Sequence, residues 1–97
     1  MTKDLRPAVD IPLDFPITVE GVEIKGVRMR RPRARDELAF QEGKGSEGRR
    51  ALQLIANLCD LSLDAVLEMD AADVKKLEDQ YAAFRGASPS GSSGAPS

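Results

Sequence analysis

The stretch Phe15-Pro16-Ile17-Thr18-Val19-Glu20-Gly21-Val22-Glu23-Ile24-Lys25 decides the fold. Apolar and polar side chains alternate on either side of Glu20-Gly21, and period-two alternation interrupted by a glycine reads as two strands and a turn. With Glu20-Gly21 as a two-residue turn, Val19 faces Val22 and Ile17 faces Ile24, so all four apolar residues share one face while Thr18 and Glu23 share the other. Glutamate is a poor first residue for such a turn, which leaves open a longer loop with Gly21 in a left-handed bulge. Past Gly26 the apolar positions move to Val27 and Met29, as expected if that glycine marks a bulge or bend. Pro32 ends the second strand.

Working outward from the hairpin, residues 1–14 contain Pro7 and Pro12 and only scattered apolar side chains, which predicts an extended N-terminal arm. On the other side, the sequence turns helical. Arg35 to Glu42 predicts a short helix presenting Leu38, Ala39 and Phe40, followed by a flexible loop across Gly43, Gly45 and Gly48. Ala51, Leu52, Leu54, Ile55, Leu58 and Cys59 follow helical spacing behind Ser46 as N-cap. Ser62 caps a short helix bearing Leu63, Val66 and Leu67. Asp70, with Asp73 three residues on, resembles a capping box for a last helix whose Val74, Leu77, Tyr81 and Phe84 repeat at i, i+3, i+7 and i+10 before Arg85-Gly86 stops it. Residues 86–97 contain only Gly, Ala, Ser and Pro, a composition that predicts disorder. The expected architecture is α+β: an N-terminal β-hairpin or small antiparallel sheet packed on three or four short helices, forming one domain over residues 15–85 with a disordered C-terminal tail.

Composition narrows the chemistry. The chain has 97 residues, formal net charge −2, no His, no Trp and one Cys. There is therefore no imidazole base, no His-containing zinc site and no intrachain disulfide. The N-terminus lacks the basic stretch and apolar run of a signal peptide, and no apolar run approaches the length of a membrane span. Gly43-Lys44-Gly45-Ser46-Glu47-Gly48 matches the letters of a dinucleotide fingerprint but lacks the buried strand and parallel βαβ unit that fingerprint requires. Asp60, Ser62 and Asp64 alternate like a calcium loop, yet Ala65 and Ala71 stand where glycine and a bidentate glutamate belong. Cys59, on an apolar helix face, reads as a small buried hydrophobe rather than a nucleophile. No catalytic set and no cofactor site emerge.

Charge is segregated. Lys25 to Arg35 carries six basic residues and no acid, and Asp60 to Asp79 carries seven acids against Lys75 and Lys76. Such poles are expected to meet within the chain or between copies. The basic strip raises an alternative, a small nucleic-acid-associated regulatory protein, but no aromatic interleaves with the arginines and the overall pI of about 5.1 opposes it.

The ordered run Pro12-Leu13-Asp14-Phe15-Pro16-Ile17, Gly21, Ile24, Val27, Met29-Arg30-Arg31-Pro32 and Asp36, then Leu54-Ile55-Ala56-Asn57-Leu58, Leu61-Ser62, Leu67, Asp70, Asp73 and Leu77, resembles the Mu-like tail assembly chaperones of long-tailed phages over about residues 9–85. The Gly43 to Gly48 loop and Met69 depart from the family pattern. The resemblance implies a non-enzymatic phage or prophage protein of the host bacterial cytoplasm, absent from the mature virion. Its partner would be the tape measure protein, kept soluble while tail tube protein polymerises around it. Such chaperones are often made in two lengths by frameshifting near the C-terminus, and a low-complexity ending suits the shorter form. Self-association is expected. The stripe of the last helix reads as core first, and the predicted partner surface is the exposed part of that helix around Val74, Leu77, Tyr81 and Phe84, with Arg28, Arg30 and Arg31 as a charge-complementary rim.

Overall fold

The structure, a computed structural model, describes residues 8–86. Two strands, β1 (Ala8–Val19) and β2 (Val22–Arg30), are followed by four helices, α1 (Ala34–Glu42), α2 (Glu47–Cys59), α3 (Leu63–Leu67) and α4 (Ala71–Gly86). The strands pair antiparallel, with Val19 opposite Val22, Thr18 opposite Glu23 and Ile17 opposite Ile24. Glu20 and Gly21 both take positive φ, 51° and 81°. That is the two-residue turn whose twist matches the strands, and it settles the alternative left open by the sequence in its favour.

One expectation needs correcting. The strand does not begin near Phe15: β1 starts at Ala8, and Ile11 and Leu13, placed by sequence in an arm, are buried in the core. Prolines 12 and 16 hide the alternation of Val9, Ile11 and Leu13 because they lower strand propensity, yet a strand at a sheet edge tolerates a missing N–H. The remainder of the predicted arm, residues 1–7, and of the predicted disordered tail, residues 87–97, lie outside the described residues.

The extra residues of the ladder fall on β1, opposite Lys25, and past Gly26 the buried positions of β2 shift to Val27 and Met29 as their parity predicts. Pairing runs regularly from Ala8 opposite Arg30 to Pro12 opposite Gly26 and resumes at Ile17 opposite Ile24, so Leu13 to Pro16 face Lys25 alone. Gly26 also lies close to β1: a Cβ there would stand 3.2 Å from the Ile11 carbonyl oxygen. The backbone groups displaced by the bulge find a partner far along the chain. Asp73, with no exposed surface, accepts from the N–H of Asp14 at 2.9 Å and of Phe15 at 3.0 Å.

The helices begin and end largely where their caps predict. Ser46 Oγ accepts from the Arg49 N–H, Ser62 Oγ from the Ala65 N–H, and an Asp70 carboxylate oxygen from the Ala72 N–H. Gly48 lies within α2, so the glycine-rich loop is shorter than expected. The capping box expected at α4 is only half present, since Asp73 turns to β1. At the far end of α2, Asp60 adopts a left-handed conformation at φ 58° and donates its N–H to the last turn, while the Leu61 N–H reaches the Ala56 carbonyl at 2.9 Å.

α2 packs against β2, α4 against β1, and α1 and α3 flank α2. Met29, Ile55, Leu58, Val66 and Leu77 are the fully buried centre of the core. Two charged residues enter it, Asp36 and Asp73.

Candidate protein-binding surface

The three arginines predicted as a binding rim are held by the chain's own groups. Arg28 forks onto exposed Asp10 across the strands, at 2.8 and 3.2 Å. This hydrogen-bonded contact, reinforced by charge attraction, holds the Asp10 carboxyl below and the Arg28 guanidinium above their ordinary ranges. Arg30 grips Asp36 through two bonds of 2.8 Å each, and the same carboxylate accepts from the Arg33 N–H at 2.8 Å, closing the start of α1. The Arg30 hydrogen bonds lower the Asp36 pKa against the opposing effect of burial, with help from the Arg33 N–H. Arg31 lies over the Phe84 ring at 5.5 Å, which ties the strand exit to α4. Within the described residues each pole finds ionic partners close at hand. The strip pairs with Asp10 and Asp36, and in the acidic region Lys76 pairs with Asp73 at 3.3 Å and with Asp14 at 3.4 Å.

The α4 stripe serves the core first. Leu77 and Phe84 are core residues, and Val74 and Tyr81 are half-buried against the core. Four apolar residues on one helix face are what this small domain needs to cover β1, which leaves little of the face for a partner. The stripe's one polar atom points to a more open feature. Tyr81 donates its hydroxyl to Glu37 of α1 at 2.7 Å, and Arg85 Nε reaches the same carboxylate oxygen at 3.1 Å. Burial, then the bond to Glu37, pushes the Tyr81 phenol up to about 12.

This triad sits at the mouth of a cleft of about 290 Å³ between α1, α2 and α4. Phe40, Ala51, Leu54 and Ile55 supply its apolar lining, and Glu37, Gln41, Glu78 and Arg85 its polar one. Sequence reasoning missed it because the lining comes from three helices. The available signal was Phe40, the largest apolar side chain of α1. A second depression of about 200 Å³ lies between α1 and α2 near Lys44, Arg49 and Arg50. Arg50 is committed there, donating to the Phe40 carbonyl at 2.8 Å and stacking on its ring at 5.0 Å. Among the described residues Phe15, Val22, Leu38 and Leu67 are the large apolar side chains exposed at the surface.

Burial raises the Cys59 thiol to about 11, far from the thiolate a nucleophile requires. Among the described residues no group of three His, Cys, Asp or Glu is placed to hold a metal ion. No described helix is long and apolar enough to cross a membrane.

No curated protein and no solved structure matches the chain significantly. A family does, the one described as "Phage tail assembly chaperone proteins, E, or 41 or 14", and its match covers residues 10–86. That span takes in nearly all of β1 and every later element through α4, including the paired Asp10, Asp36 and Asp73 and the whole of the cleft. The chain belongs to this phage tail assembly chaperone family.

Proposed function

We propose that the protein binds the tape measure protein, keeps it soluble and promotes polymerisation of the tail tube around it. It does so in the host bacterial cytoplasm, without catalysis or cofactor, and leaves before the virion matures. It associates with itself in doing so. Family membership over residues 10–86 is the observation that carries this reading. The cleft between α1, α2 and α4 supports it as the seat of the partner: an apolar floor with charged edges suits the apolar stripe of an amphipathic helix.

Co-expression with the tape measure protein encoded alongside it is the test. The expected outcome is soluble tape measure protein that co-purifies with this chain, and loss of co-purification with Ala51→Glu, which puts a charge on the cleft floor. The variant's circular dichroism should match that of the parent. A tape measure protein that stays insoluble and unbound beside a folded chain overturns the reading. Undiminished binding by the variant moves the contact away from the cleft.

A further inference from the structure

The sheet has two strands and therefore two outer edges. On β1 that edge is occupied where α4 reaches it: Asp73 takes the N–H groups of Asp14 and Phe15, and Lys76 Nζ donates to the Pro12 carbonyl at 2.6 Å. On β2 it is open. Among the described residues no backbone or side-chain hydrogen bond from another element reaches Glu23, Ile24 or Lys25. An uncovered edge is a template for another strand.

The turn fixes which groups point outward. In an antiparallel hairpin with a two-residue turn, the pair next to the turn exchanges both of its backbone hydrogen bonds, and pairs then alternate. Val22 opposite Val19 and Ile24 opposite Ile17 therefore direct their backbone groups to β1, while Glu23 directs its own away from it. Lys25 faces the β1 bulge rather than a registered partner, and its side chain reaches the Glu23 carboxylate on the same face. A second strand must set its own outward groups against those of Glu23.

We propose that this edge pairs antiparallel with the same edge of a second copy, with Glu23 of each chain opposite Lys25 of the other and the two Ile24 residues flanking the twofold axis. Charge selects that register. The neighbouring registers of the same parity place Glu23 against Glu23 or Lys25 against Lys25, and like charges directly opposite are unfavourable. The chosen register creates two attractive pairs at once. The side chains are ready for it: Glu23 and Lys25 lie on one face, 3.9 Å apart, and are exposed. On the opposite face the exposed Val22 comes to lie across from Gly26 of the second copy, where no side chain competes for space. The product is a four-stranded sheet in the order β1-β2-β2-β1, a more stable unit than an isolated pair of strands. This pairing deepens the self-association in the proposed function but does not depend on tape measure binding.

Sedimentation velocity of the full chain, without any partner, tests it. The parent should dimerise reversibly with rising concentration. Glu23→Lys and Lys25→Glu should each weaken the dimer by about tenfold or more, because each turns both attractive pairs repulsive. Mixed in equal amounts, the two variants should form a heterodimer at least as tight as the parent dimer, since one edge then presents only lysines at these two positions and the other only glutamates. Circular dichroism of each variant should match that of the parent. A parent that stays monomeric at several hundred micromolar overturns the proposal and leaves the edge to a strand of another protein. Variants that dimerise like the parent, or a mixture that stays monomeric, overturn the register. Retained or lost tape measure binding leaves these outcomes unchanged, so failure here is distinct from failure of the chaperone reading.

Discussion

Asp73 shows how one side chain can hold together two parts of the molecule. It lies at the start of α4, yet its carboxylate satisfies two backbone N–H groups in the β1 bulge, 58 and 59 positions earlier in the chain. Burial works to raise its pKa, but those two N–H groups and Lys76 outweigh it and hold the carboxyl below the usual range. A folded-state pKa below the unfolded one contributes stability above about pH 4 that is lost as pH falls through the folded value. Asp73→Asn should lower the melting temperature by several degrees at pH 7 and flatten the acid limb of a plot of melting temperature against pH. An acid limb as steep as the parent's would show that the carboxylate does not carry this coupling. Arg30 offers a contrast with Arg28. Removing it in Arg30→Gln strands a buried Asp36 carboxylate and should cost about 2 kcal/mol in urea unfolding, whereas Arg28→Gln breaks an exposed pair and should leave the midpoint unchanged. The sequence marked Arg28, Arg30 and Arg31 as notable but assigned them outward. Their partners, Asp10, Asp36 and Phe84, could be identified only once the chain had folded.

At the scale of elements, legibility followed locality. The hairpin register could be read because parity and a two-residue turn determine it within a few positions, and the helix starts could be read because Ser46, Ser62 and Asp70 cap neighbours two or three residues away. The beginning of β1 could not, because Pro12 and Pro16 resemble strand breakers until a neighbouring helix accounts for the backbone they disturb. The Glu20-Gly21 turn carries a local cost, since Glu20 sits at φ 51°, where an ordinary side chain is strained. Glu20→Asn supplies the residue such turns favour and should stabilise the domain by about 0.5–1 kcal/mol. Thermal and urea unfolding would measure it, and a destabilised variant would indicate that the Glu20 side chain makes a contribution beyond the turn.

At the scale of the whole molecule, the cleft and the open strand edge are the features that local sequence signals could not display. Each is assembled from parts that look ordinary alone: an alanine, a phenylalanine and a tyrosine on three helices, or a glutamate and a lysine on one strand. Tyr81 is the chain's only tyrosine, so phenolate absorbance reports directly on whether α1 is docked to α4. It should ionise at about pH 12 in the folded protein. Stability should fall as pH rises from about 10, where the unfolded phenol loses its proton, towards the folded value. In Glu37→Gln the phenol should titrate at lower pH with the fold retained; an unchanged titration would mean that burial alone sets it.

The clasp between Asp73 and the β1 bulge also gives synthesis a direction. The hairpin leaves the ribosome first, and α1 to α3 can gather beneath it, but the Asp14 and Phe15 amides keep water as their partner until α4 emerges. Closing so long a loop adds little entropy per extra residue. The part of the sheet that is made early therefore depends, for two of its backbone donors, on a helix made more than fifty residues later.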